Sequence, residues 1–204
     1  ANRSAAAGGA LFNHDTAKVE ATNAEFVGNS AGQGGAIFNQ GAQFTLSNLT
    51  LVANSAGSGA IVSSSGGSNG SLSNTVIWAS SGTALESSPD SQVTRNRNLI
   101  QGSGGGDPRF VRLPAAGDGD WATLGDNDYG NLDLQSNSAA IDAGDNGAVM
   151  AGVTTDIRGS IRFWDFLGAP DTGAGTPPLV DIGAYEFVTP IPFANANGPY
   201  TTVE

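Results

Sequence analysis

The chain has no cysteine, a single lysine (Lys18), one histidine and only 13% charged residues among its 204. Without cysteine, disulfide scaffolds and thiolate metal sites are excluded, although an extracellular home is not. Glu, Lys, Leu and Arg, on which soluble helices rely, are scarce. Gly, with 30 residues, and Asn, both formers of turns, are abundant. That composition argues against an α-rich fold. Basic residues number 8 against 19 acidic ones, giving a net charge of −11. A nucleic-acid binder needs a basic patch to neutralise phosphates, so no nucleic-acid partner is expected. No apolar run approaches the roughly 18 residues of a bilayer span, so neither membrane insertion nor a signal peptide is read. Simple disorder conflicts with a 39% hydrophobic content that recurs at fixed spacing.

What is present is an internal repeat. Gly8-Gly9-Ala10-Leu11-Phe12-Asn13 returns as Gly34-Gly35-Ala36-Ile37-Phe38-Asn39, with a weaker third copy at Gly59-Ala60-Ile61-Val62. In phase with it, Ala21-Thr22-Asn23-Ala24-Glu25-Phe26-Val27 matches Leu46-Ser47-Asn48-Leu49-Thr50-Leu51-Val52 and then Leu72-Ser73-Asn74-Thr75-Val76-Ile77-Trp78. Asn29-Ser30-Ala31 returns as Asn54-Ser55-Ala56, and Val93 to Ile100 forms a degenerate fourth copy. A period of about 25 residues, with no 3.6-residue pattern and no leucine frame, reads as one β-coil per repeat, stacked in register on the next. The fold class is therefore all-β, a parallel β-helix.

The alternation of apolar residues slips phase at Asn48, so the chain is expected to bend there and at Asn23 and Asn74. Asparagine tolerates the left-handed backbone of a tight corner, and its amide can donate and accept along a stack. Asn23, Asn48 and Asn74 are accordingly expected to form a structural ladder. Terminal coils of such a solenoid expose unpaired backbone groups that must be capped or will recruit another chain. Asn2-Arg3-Ser4 resembles the Asn29 turn, so Ala1 is expected to lie mid-coil.

The charge divides the chain. Residues 1–106 hold five acids and four bases; residues 107–204 hold fourteen acids, twelve of them Asp, and four bases. Three segments follow: coils over 1–106, an Asp-rich terminal and capping region over 107–187, and a linker with a single strand over 188–204. In the second segment, Asp118-Gly119-Asp120 and Asp126-Asn127-Asp128 set hard oxygen ligands two residues apart beside glycine, as calcium loops do, and turns do as well. Asp118, Asp120, Asp126, Asp128 and Asp133 are the candidate calcium ligands; Asp142 with Asp145 is a lesser pair. Asp156 with Arg162, or Asp142 with Arg158, could pair to fix irregular loops.

Four blocks in this segment carry a resemblance: Asp107-Pro108-Arg109-Phe110, Ser138-Ala139-Ala140-Ile141-Asp142-Ala143-Gly144, Asp156-Ile157-Arg158-Gly159-Ser160-Ile161-Arg162, and Val180-Asp181-Ile182-Gly183-Ala184-Tyr185-Glu186. Their order and wording resemble the C-terminal part of choice-of-anchor Q domain proteins, bacterial surface proteins with a right-handed parallel β-helix and glycine-rich repeats like those of polymorphic outer-membrane proteins. The resemblance covers 107–187 well and 8–106 loosely. It departs where a proline usually precedes the Ala-Ile-Asp block, and where a sorting tail would follow. It implies a bacterial, extracellular or cell-surface location and a structural role for Asp142 and Asp145.

Catalysis is not expected. Lys18, Arg95 and Arg97 are thin as lyase bases, and no two carboxylates of the repeats recur on neighbouring coils as a hydrolase pair would. His14-Asp15 lacks a serine motif, and Gly102 to Gly106 lacks the lysine of a phosphate loop. Trp78, Trp121 and Trp164 read as packing residues or, less simply, as a sugar platform. The expected function is a structural or adhesive extracellular solenoid that assembles head to tail with itself or with adjoining domains of a longer chain. Tyr200, Thr201, Thr202 and Val203 would serve as an assembly strand. The alternative is a β-helix that binds or cleaves a polysaccharide, with a glycan as partner.

Overall fold

Short apolar runs divided by Gly and Asn fold into a β-solenoid of about four turns. The computed structural model describes residues 1–189. The assembly strand expected at Tyr200, Thr201, Thr202 and Val203 lies outside the described residues, as does most of the expected 188–204 linker.

The first coil contains β1 (Leu11–His14) and β2 (Lys18–Val27); the second contains β3 (Ser30–Ala31), β4 (Ile37–Gln40) and β5 (Gln43–Val52). The third is built of β6 (Ser55–Ser65), β7 (Asn69–Ser73) and β8 (Val76–Trp78), and the fourth of β9 (Ser81–Ser87), β10 (Gln92–Asn96) and β11 (Leu99–Ile100). Every pairing among these strands is parallel. The register stacks like on like: Leu11, Ile37, Val62 and Leu85 form one column, and Phe26, Leu51, Ile77 and Ile100 another. The degenerate fourth repeat is thus a true coil.

The expected phase slip is a corner. Asn23, Asn48 and Asn74 have φ of 48°, 54° and 48°, and Arg97, above Asn74, has 50°. The bend lets Leu46 and Leu49 both point inward, and both are fully buried. Together with Ile37, Leu51, Ile61, Leu72 and Ile77 they fill the solenoid. Each such side chain contributes about 1.5–3 kcal/mol of burial.

The amide stack expected of Asn23, Asn48 and Asn74 is not what their side chains make. Asn23 Nδ2 donates to the Thr155 carbonyl (2.6 Å) and Asn74 Nδ2 to that of Asp145 (2.9 Å). Asn48 meets its neighbour Ser47, whose hydroxyl donates to the Ala148 carbonyl. The acceptors offered by the C-terminal segment outcompete the next amide in the column. Side-chain ladders occur elsewhere. Asn2 Nδ2 donates to Asn29 Oδ1 (3.2 Å), and Asn29 Nδ2 to Asn54 Oδ1 (3.0 Å). Asn13 Nδ2 donates to Asn39 Oδ1 (3.2 Å).

Residues 107–187 add no further coils; they lie lengthwise along the flank as a strap. Its regular elements are an antiparallel pair, β12 (Phe110–Arg112) with β13 (Asn131–Leu134), and a single 3-10 turn at Asn146–Ala148. Phe110, Leu132, Ile141, Ile182, Ala184 and Tyr185 pack against Val27, Val52, Val76 and Leu99, a second core that touches all four coils. Trp78 and Trp121 pack there too. Gly28 is required by this contact: a Cβ would lie 2.4 Å from the Trp121 ring. The strap crosses the coils nearly one residue at a time. Tyr185 bonds Glu25, the Ala184 N–H donates to Thr50 Oγ1 (2.9 Å), and the Gly183 N–H donates to the Asn74 carbonyl (2.9 Å).

Candidate functional site: the open ends of the solenoid

Two places present unspent binding capacity: the ends of the stack and a few groups within the strap. At the first end, β1 and β2 pair only on their inner side among the described residues, and residues 3–7 bridge to β3 and the turn that follows it. At the last end β9, β10 and β11 likewise pair only inward. Apolar residues of the core columns are therefore only partly buried at both ends: Leu11, Val19, Ala21, Ala24 and Phe26 at one, and Ala84, Leu85, Val93 and Ile100 at the other. The columns that begin at Leu11 and Phe26 run apolar through all four coils to Leu85 and Ile100.

Charges guard these edges. On β2, Lys18 and Glu20 pair at 2.6 Å and remain half exposed. Arg95 is placed differently, because it ends the inward column Ala21, Leu46, Leu72, Arg95. Its guanidinium donates to Ser87 Oγ (2.8 Å) and lies with Leu85 and Val93 over the mouth of the core. His14 pairs with Asp15 at 2.7 Å in an exposed turn.

The five aspartates expected to hold calcium are not gathered into a shared group. Asp118 Oδ1 accepts from the Asp120 N–H (2.8 Å), Asp120 Oδ1 from Ala122 (3.0 Å) and Asp128 Oδ1 from Gly130 (2.9 Å). These are turns closed on their own backbone, and the bond from Asp120 holds the Asp118 carboxyl below its ordinary value. Asp128 also pairs with Arg112 and Asp133 with Arg158, while Asp126 packs against Gly117. Among the described residues, the three carboxylates that approach within metal-binding reach are Asp142, Asp165 and Asp171.

The buried charges of the strap also differ from expectation. Arg162 is fully buried, but its closest acid is Glu186 (3.6 Å) rather than Asp156, and its Nη2 donates to the carbonyls of Asp181 (3.1 Å) and Gly183. Asp156 instead caps a turn, accepting from the N–H groups of Arg158 and Ser160 (both 2.8 Å). Arg158 pairs with Asp133 and lies 5.3 Å over the Tyr185 ring, not on Asp142. Desolvation pushes Asp181 up to about 7 and Glu186 well above the usual carboxylate range. Burial likewise lifts Asp142 to about 6. The ladders at Asn13 and Asn29 were not expected from the sequence, although both residues recur in the repeats, at Asn39 and Asn54; no comparable signal exists for Glu186 or for the Asp165–Asp171 approach.

No helix among the described residues is long and apolar enough to cross a membrane. Compared with protein-family models, with curated proteins and with solved structures, the chain matches none.

Proposed function

We propose that this chain is a non-catalytic structural module of a bacterial extracellular surface protein or fibre, a short rigid solenoid that works by joining coil to coil at its ends. The observation that carries this reading is the continuity of the columns. In register, Leu85 of one copy faces Leu11 of the next, Val93 faces Val19 and Ile100 faces Phe26, so docking extends the core instead of creating a new kind of contact. A second copy, or an adjoining β-helical domain of a longer chain, has the matching shape. The wording of residues 107–187, which resembles choice-of-anchor Q surface proteins, accords with it.

Arg95 makes such a joint selective. A guanidinium on an inward column repels any coil that sets a bulky apolar residue opposite, a known defence against indiscriminate edge pairing. In a second copy the opposing position is Ala21, small enough to leave the arginine its room. Sedimentation velocity over a wide concentration range tests the reading. Concentration-dependent oligomers are expected, longer for Arg95→Leu and abolished by Phe26→Asp. A monomer at every concentration, in the wild type and in Arg95→Leu alike, would remove the assembly claim.

A further inference from the structure

Asp142 occupies an unusual position for a carboxylate. Its backbone is left-handed (φ 51°) and the residue is completely buried. Its main chain is fully engaged: the N–H donates to Asp181 Oδ1 (2.8 Å), and the carbonyl accepts from Thr172 (3.0 Å) and Gly173 (2.9 Å). Of the side-chain oxygens, Oδ2 accepts only a long bond from the Phe166 N–H (3.3 Å). Oδ1 is sealed from solvent and has no partner. An unmet buried acceptor costs about 1–3 kcal/mol, more when charged.

The surroundings increase that cost. Carboxylate oxygens of Asp165 and Asp171, both exposed, come within 4.8 Å of an Asp142 oxygen and of each other. Among the described residues no basic side chain forms an ion pair with any of the three. Three like charges at such separations repel one another, and the buried one cannot be relieved by water. A cation placed among them gives the under-bonded Asp142 carboxylate a partner and cancels the repulsion at once.

We propose that Asp142, Asp165 and Asp171 bind a divalent cation, calcium in particular, which fastens the 165–173 loop of the strap to the buried Asp142. The donor set is all hard oxygen, as calcium prefers, with bonds of about 2.3–2.6 Å and six to eight ligands in flexible geometry. Two ligands on opposite sides of one calcium stand about 4.8 Å apart, and the three oxygens all lie within that reach of one another. Magnesium, with bonds of about 2.0–2.1 Å, needs a tighter octahedron. The exposed faces of Asp165 and Asp171 leave water to complete the shell. The same loop presents the Thr172 carbonyl to Arg97 (2.7 Å) on the last coil, so the cation also steadies the strap where it meets that end. This site does not depend on whether the module assembles.

The test uses the chain stripped of metal with chelator and titrated with calcium chloride, then separately with magnesium chloride, by calorimetry and by thermal melting. One calcium per chain is expected, with a Kd of roughly 10–1000 μM, in the range of sensor and extracellular sites. Five millimolar calcium should raise the Tm by several degrees, and magnesium by less. Asp165→Asn/Asp171→Asn, which changes only exposed residues, should lose both responses while melting no lower than the wild type in chelator. Asp118→Asn/Asp120→Asn should keep them. Absence of heat and of a Tm shift in the wild type overturns the site. So does a calcium response that survives Asp165→Asn/Asp171→Asn, or one lost only in Asp118→Asn/Asp120→Asn.

Discussion

Replacing Arg162 by Met tests how the strap is held. The side chain is fully buried, its Nη2 serves two backbone carbonyls, and Glu186 is its closest acid at 3.6 Å. The arrangement is imperfect, because Nε, Nη1 and Glu186 Oε1 lack hydrogen bonds. The pair therefore adds little beyond an apolar replacement, yet losing one partner strands the other. Removal leaves the Asp181 and Gly183 carbonyls unpaired and Glu186 without its counter-charge. Breaking a buried pair in this way costs about 3–5 kcal/mol. For a domain of this size each kcal/mol shifts the Tm by about 2–4 °C, so Arg162→Met should melt about 10 °C lower in calorimetry with chelator present. The double variant Arg162→Met/Glu186→Gln should recover a substantial part of that loss, because no stranded charge remains. If the single variant melts within a degree or two of wild type, or the double variant is no better than the single, the strap is not anchored by this pair.

Two further outcomes follow from buried polar groups. Asp181 and Glu186, packed around Arg162 with Asp156 and Asp142 nearby, hold their protons more tightly in the folded than in the unfolded chain. The folded state then binds more protons between about pH 4.5 and 7, so stability must fall as pH rises through that window. Urea unfolding at pH 5, 6, 7 and 8 in chelator should give a declining series, and a rising one would contradict the assignment. Asn54→Ala removes an oxygen that takes the Asn29 N–H (2.9 Å) and an amide that serves the Phe26 carbonyl (2.8 Å), and should cost about 1–3 kcal/mol. Asn48→Gly keeps the left-handed corner and should cost less, which the same urea titrations would compare.

What the sequence revealed was whatever repeats. Leu46, Leu49 and Leu51 against the 25-residue period disclosed a corner, because a strand cannot bury two residues three apart on one face without bending. The partners of Asn23 and Asn74 were illegible: Thr155 and Asp145 lie 132 and 71 residues away in a segment with no period. The aspartates misled for a related reason. Asp118-Gly119-Asp120 looks like a ligand string, but a carboxylate followed by glycine can as easily close on the N–H two residues ahead, and these do. The group that does come together draws one residue from a turn at Asp142 and two from the 165–173 loop further on. Only the tertiary course of the chain brings Asp142 to Asp165 and Asp171.

The strap explains how so short a stack holds together without disulfides. In a solenoid each coil touches only its neighbours, so about four coils would fray from either end nearly independently. Here one segment bonds every coil. Gly183 and Ala184 reach Asn74 and Thr50 through their backbone N–H groups. Coils lie about 4.8 Å apart, while an extended residue advances only about 3.4 Å, so backbone alone falls behind the stack. Tyr185 makes up the difference with its side chain, whose hydroxyl meets Glu25 on the first coil. Gly183 is needed where the crossing is tightest. Its φ is +114°, and a Cβ would lie 2.9 Å from Thr50 Oγ1 and 3.1 Å from Val76 Cγ2. Because Thr172 and Gly173 hold Arg97 on the fourth coil, loosening one end of the strap must loosen contacts at the other. The strap thus converts a chain of neighbour contacts into one cooperative unit, while the faces that remain incomplete are the two ends.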